Sequence, residues 1–144
     1  MRKLIVATHG KMAQGMVHTL GVIVGEESVK DIEVYGLFAG EDVNDIVEDV
    51  QKKIESSPKT DFVIMTDILG GSVDTGLLKL AITYPNVWVN TGTNLMLLLD
   101  VLLSDPSVST QSVLEQATDN AKAGILSRNN LSLTTSLDDD EEDF

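Results

Sequence analysis

Two histidines and no cysteine limit the chemistry open to this chain of 144 residues. Without cysteine there is neither a disulfide framework nor a thiolate metal site, and two imidazoles cannot supply a histidine metal centre with three or four ligands. No metal and no cofactor is expected. His9 stands where an apolar, β-branched run ends, directly before Gly10. Asp67 ends a second such run and leads through Gly70-Gly71 to Ser72. A neutral imidazole is a good nucleophile, and it accepts a phosphoryl group on one ring nitrogen when the other is held as a donor to a carboxylate. His9 and Asp67 suit those two roles. Backbone amides at helix starts after Gly10 and after Gly71, together with the Ser72 hydroxyl, would bind phosphoryl oxygens without a cationic side chain. Glycine allows the close approach because it has no Cβ.

Each of these features has a plainer reading. A histidine at a strand end is commonly a hydrogen-bonded surface residue, and Asp-x-x-Gly-Gly-Ser is commonly a turn with a helix cap. Their combination is what points to transfer chemistry, which needs positioning and charge stabilisation and does not by itself require a metal or a nucleotide. His18, on the polar side of the first helix, reads as solvated, as does Lys11. Trp88 reads as packing, and Asp74 and Asp100 as single helix carboxylates with no evident partner. There is no Gly-x-Gly-x-x-Gly after the first strand, no lysine-bearing phosphate loop and no receiver-type acidic cluster, which disfavours a nucleotide-dependent enzyme.

The elements that must position these groups follow from hydrophobic periodicity. Residues 3–8 read as a buried strand, and Ala13, Met16, Val17, Leu20, Ile23 and Val24 recur at helical spacing until Gly25. Residues 31–35 read as a second strand. Val43, Ile46, Val47, Val50 and Ile54 mark a second helix, with Glu41 and Asp42 at its favourable end. A third strand over residues 62–66 and a helix from Ser72 with Val73, Leu77, Leu80 and Ala81 on one face come next. Residues 87–90 form a fourth strand, and Asn94 caps a helix over residues 95–103 that is apolar nearly all round. Such a helix fits either a subunit interface or a central core position. A fifth helix starts near residues 109–112, where Ser112 and Glu115 have capping-box spacing, and residues 125–133 can add one strand at a sheet edge. Strands alternating with helices in this way specify a doubly wound α/β domain with a mainly parallel sheet. Ligands of such sheets bind beyond the carboxyl ends of the strands, where strand order reverses. With the order 2-1-3-4, the loops of His9 and Asp67 are neighbours.

Composition bounds the rest. The chain is 42% apolar, enough for one core, so a single domain over residues 1–128 is expected. Of the net charge of -13, six charges come from Asp138, Asp139, Asp140, Glu141, Glu142 and Asp143 in residues 134–144, a block of the kind that is usually disordered. Arg2 and Arg128 are the arginines, too sparse for phosphate contacts along nucleic acid. No signal-peptide core and no membrane-length apolar run is present, so a cytoplasmic protein is expected.

At these residues the chain resembles the enzyme IIA components of the mannose family of the bacterial sugar phosphotransferase system. The likeness is carried by Ala7-Thr8-His9-Gly10, Phe38-Ala39-Gly40-Glu41, the run from Thr66-Asp67 to Gly70-Gly71-Ser72, and Thr91-Gly92-Thr93-Asn94-Leu95, in order across residues 1–128. The resemblance implies that His9 receives a phosphoryl group from the histidine-containing phosphocarrier protein. It would pass the group to a IIB subunit, a separate polypeptide, that serves membrane IIC and IID subunits. It implies that Asp67 orients the histidine and that Ser72 is its nearby hydroxyl. It also implies a homodimer that exchanges a C-terminal antiparallel strand near residues 123–131. The chain departs from the family's usual pattern at Val73, Asp74 and Thr75, where many members have Pro first and Asn third, and at Met96. Two other expectations stand beside this one: a carrier serving a dihydroxyacetone kinase, and a non-catalytic regulatory module on the same fold.

Overall fold

Apolar residues at both odd and even positions of residues 4–7 and 62–65 leave neither face of these strands fit for water, so each must lie inside a sheet covered on both sides. The computed structural model, in which residues 1–131 are described, has that arrangement. Strands β1 (Arg2–His9), β2 (Glu33–Leu37), β3 (Asp61–Thr66) and β4 (Val87–Asn90) form one parallel sheet in the order β2-β1-β3-β4. Helices α1 (Met12–Val24), α3 (Val43–Ser56), α4 (Ser72–Thr83), α5 (Leu95–Leu102) and α6 (Thr110–Ala123) cover it, and a short α2 (Glu26–Val29) follows α1.

The twofold alternation of the strands divides the core. Leu4, Val6, Val63 and Met65 point to one face, where they meet Ala13 and Leu20 of α1, Leu97, Leu98 and Val101 of α5, and Val113, Leu114 and Ala117 of α6. Ile5, Ala7, Phe62 and Ile64 point to the other, against Val50 and Ile54 of α3 and Val73, Leu77 and Leu80 of α4. Trp88 packs against the first cluster, as expected. Helix α5 is accounted for within one chain. Its buried side faces the sheet, Leu95, Leu99 and Leu102 pack partly against the same cluster, and α1 and α6 lie alongside.

Two expectations need correction. The second strand starts two residues later than the pattern suggests and runs on through Gly36 to Leu37. The glycine is needed there because a Cβ at that position would lie 2.4 Å from the Gly10 carbonyl oxygen. The cap of α6 is Ser109, whose hydroxyl accepts from the Ser112 amide at 3.2 Å, so the Ser112–Glu115 box is not the start of the helix. Within the single chain, residues 125–129 add no strand to the sheet, and Ile125 and Leu126 stay exposed; an edge strand exchanged with a second copy is not tested by one chain. The acidic tail lies outside the described residues.

Arg2 was expected only as a charge preceding the first strand. Its guanidinium instead donates to Thr110 Oγ1 at 3.1 Å, Ser104 Oγ at 3.2 Å and the Asp105 carbonyl at 3.2 Å, tying the start of β1 to the α5–α6 connection. Among the described residues, no helix is long and apolar enough to cross a membrane.

The split core predicts where the fold is sensitive. Leu98 is fully buried, so Leu98→Ala should cost about 2 to 5 kcal/mol through lost transfer energy and a residual cavity. Ile82, 79% exposed on α4, should tolerate alanine within about 0.5 kcal/mol. Urea unfolding of the two variants measures both, and a larger loss at Ile82 than at Leu98 would contradict this packing.

Candidate active site

Parallel pairing sets Ala7 opposite Thr66, where β3 ends, while Thr8 and His9 continue β1 against Gly36 and Leu37 of β2. The backbone N–H of His9 therefore lies beyond the last residue of β3 paired with β1. It donates instead to Asp67 Oδ2 at 2.9 Å. The same oxygen lies 2.9 Å from the ring Nδ1 of His9. The sequence expectation that an imidazole and a remote carboxylate meet at the strand-order reversal is met in this geometry.

Asp67 is 12% exposed, and burial by itself would raise its carboxyl. Hydrogen bonds from the His9 amide and ring outweigh that effect. The Ile68 and Asp67 amides favour the charge without satisfying hydrogen-bond geometry at Oδ1, which is buried with no partner among the described residues. The net result is a carboxyl held below its ordinary range, hence an acceptor only. Hydrogens are assigned here from the bonding pattern: Nδ1 carries the ring proton, and Nε2 turns its lone pair outward. Ser72 Oγ, at the start of α4, lies 3.3 Å from that Nε2. The ring is 45% exposed while its carboxylate is covered, so an incoming group can reach Nε2 without displacing Asp67.

The glycines serve by shape. Gly10 has a left-handed φ of 56°, which lets the chain turn from β1 into α1. At Gly71 a Cβ would stand 2.7 Å from Ile68 Cγ2 and 3.2 Å from the His9 ring Cε1, so a side chain would crowd the imidazole from below. The glycines' own amides, as distinct from those that follow them, are taken. Gly10 N–H donates to the Leu37 carbonyl at 2.8 Å, and Gly71 N–H to the Ile68 carbonyl at 3.1 Å. At α1 the Ala13 amide is also taken, by Thr8 Oγ1 at 2.8 Å. The better anion site is therefore the first turn of α4. Its N-cap is Gly71, with no side chain to serve as a cap, and a helix leaves such first-turn amides open.

Sequence reasoning missed several supporting residues. Thr8 braces the turn by accepting from Ala13 N–H and donating to the His9 carbonyl at 3.0 Å. Asp74, read as a carboxylate without a partner, is 3% exposed and accepts from the hydroxyls of Thr66 and Thr91, each at 2.6 Å, and from the Gly70 amide at 3.2 Å. Asp100 also has a partner, the Asn120 side-chain amide at 3.3 Å. His18 and Lys11 are exposed, as expected. Thr66 and Thr91 lie in the runs that carry the resemblance, and that was the available signal.

The lowered carboxyl sets a pH dependence. A group with a depressed folded pKa contributes stability that is present above its unfolded pKa, about 3.9 for Asp, and lost as pH falls through the folded value. The stability advantage of the wild type over Asp67→Asn should be full above about pH 5 and shrink below about pH 4. Urea midpoints of both proteins across this range measure it. A difference that does not change with pH would remove the ionised contact.

Comparison with known proteins agrees with this architecture. The mannose/sorbose specific IIA subunit of the phosphotransferase system from Enterococcus faecalis superposes with a TM-score of 0.79 at 20% identity, over 89% of this chain and 95% of that one. The phosphotransferase system component EIIA from Streptococcus agalactiae gives 0.77 at 23% identity, over 88% and 97%. A Klebsiella pneumoniae protein provisionally described as a phosphoenolpyruvate-dependent sugar phosphotransferase system permease gives 0.75 at 28%, over 90% and 93%. No curated protein matches significantly. The family model described as PTS system fructose IIA component, EIIA-man, matches residues 3–118. That match spans most of the 144 residues, so the chain belongs to this family of phosphotransferase system IIA components.

Proposed function

We propose that the protein is a cytoplasmic phosphoryl carrier. In this reading His9 Nε2 takes the group from the phosphohistidine of the histidine-containing phosphocarrier protein and gives it to a IIB domain, which serves sugar uptake through membrane IIC and IID subunits. The observation that carries the reading is the contact of His9 Nδ1 with Asp67 Oδ2 at 2.9 Å, which leaves Nε2 exposed beside Ser72. The lone pair of Nε2 attacks phosphorus while the bond from phosphorus to the donor's ring nitrogen breaks, and the donor imidazole leaves with that electron pair. With Nδ1–H retained, the phosphorylated His9 ring bears positive charge, and the Asp67 carboxylate offsets it. Ser72 Oγ and the open amides at the start of α4 are placed to receive the phosphoryl oxygens. The second transfer is the same sequence reversed, so His9 returns to its starting tautomer.

Mixing the purified protein with phosphoenolpyruvate, enzyme I and the phosphocarrier protein should add one acid-labile, alkali-stable phosphate at His9. His9→Ala should take up none. Asp67→Asn should slow transfer on the order of a hundredfold while leaving the fold intact, because the tautomer and the developing ring charge lose their partner. Phosphate mapped to any other residue would overturn the assignment, and an Asp67→Asn rate equal to that of wild type would remove Asp67 from the mechanism.

We also infer a homodimer with an exchanged strand from residues 123–131. What supports it is that β4 pairs only with β3 among the described residues, while Ile125, Leu126 and Leu131 are each at least 65% exposed. Sedimentation should give a dimer for the wild type and a monomer for a chain truncated after Gly124. A monomeric wild type at micromolar concentration would sink this inference.

A further inference from the structure

Asp74 is a buried carboxylate to which the transfer chemistry assigns no role. It is the third residue of α4, where the helix amide dipoles favour negative charge, and it is 3% exposed. Its Oδ1 accepts from Thr66 Oγ1 and from Thr91 Oγ1, and its Oδ2 accepts from the Gly70 amide. Thr66 is the last residue of β3 and directly precedes Asp67. Thr91 follows β4, and the loop it opens is held again by the Thr93 amide on the Thr66 carbonyl at 2.9 Å. Gly70, with a left-handed φ of 78°, is the residue at which the Asp67 loop turns back beneath the His9 ring. One side chain therefore fixes both ends of the five-residue arc from Thr66 to Gly70 that carries Asp67.

We propose that Asp74 is a positioning residue for phosphoryl transfer, clamping Thr66 and Gly70 so that Asp67 Oδ2 stays under His9 Nδ1 and Gly71 stays flat against the imidazole. The role rests on the reading of His9 as phosphoryl acceptor. Burial pushes the Asp74 carboxyl up, but the Thr66 and Thr91 hydroxyls and the Gly70 amide pull it down further, against the repulsion of Asp67. An ionised carboxylate only accepts, so each surrounding donor has one orientation to adopt. A Cβ at Gly71 would lie 3.2 Å from the His9 ring Cε1, so the loop that Asp74 holds runs alongside the imidazole.

Asp74→Asn keeps the shape and replaces one acceptor oxygen with an NH2 donor, which must then face a hydroxyl or the Gly70 N–H. The expected result is a transfer rate lower by about tenfold to a hundredfold, the usual consequence of misplacing a catalytic group by a fraction of an ångström to an ångström. Nitrogen-15 NMR should show the His9 ring leaving its fixed Nδ1–H tautomer, with the exposed His18 ring unchanged as an internal reference. Thr91→Val, which removes a single donor, should move both readouts the same way by a smaller amount, and it carries the test should Asp74→Asn fail to fold. Lower melting temperatures with an unchanged His9 tautomer and an unchanged rate would overturn the proposal and leave Asp74 a purely structural residue. If the wild type takes no phosphate at His9, the carrier reading fails, whereas the tautomer signal still decides the clamp.

Discussion

One carboxylate oxygen, Oδ2 of Asp67, receives both the backbone amide and the ring Nδ1–H of His9, each at 2.9 Å. The shared acceptor removes rotational freedom at two levels, since the main chain and the side chain of the histidine refer to the same atom. It is available only because β1 and β3 are adjacent, parallel and in a register that carries β1 two residues beyond the end of β3. A one-residue slip would exchange the two faces of β1 as well, bringing Ile5 and Ala7 among the partners of Leu4 and Val6. The hydrophobic division of the sheet into two core clusters is thus also what holds the ring and carboxylate in contact.

Around that contact the surroundings act mostly by what they withhold. Gly71 withholds a Cβ, so the imidazole can lie close to the loop, and Gly36 withholds one so that the Gly10 carbonyl can approach β2. Thr8 satisfies the Ala13 amide internally, and Gly10 gives its own amide to Leu37. At the start of α1 the Gly10 and Ala13 amides are consequently already used, while no side chain caps the first turn of α4. Two helices that look equivalent in the sequence, each following a glycine at the end of a strand, differ in what they can bind because their first-turn donors have different local competitors.

His9, Asp67 and Ser72 were legible because each marks the end of an element, and element ends are where periodicity changes. The α/β class with its mainly parallel sheet was legible from the alternation of apolar runs with helical spacings, while the strand order entered as an assumption that the sheet then met. What escaped notice had its cause in long-range closure. The partners of Asp74 are eight and seventeen residues away, so no local spacing announces them. That the Ala13 amide would be taken by Thr8 could not be read either, because a sequence does not show which side chain will turn onto a helix start. The edge position of β2 blurred its boundary: its side chains are only partly buried, and the apolar residues there do not alternate as they do in β1 and β3.

The pocket facing Nε2 is made of a hydroxyl and main-chain dipoles, and among the described residues neither a guanidinium nor an ammonium group bonds to the His9 ring. A fixed cation would deepen the energy well for an anionic passenger and lengthen its stay. If the site carries a phosphoryl group as proposed, neutral dipoles would hold it more loosely, and the phosphorus–nitrogen bond would keep most of its free energy of hydrolysis. Such a site would suit custody rather than storage, since what arrives could leave in either direction.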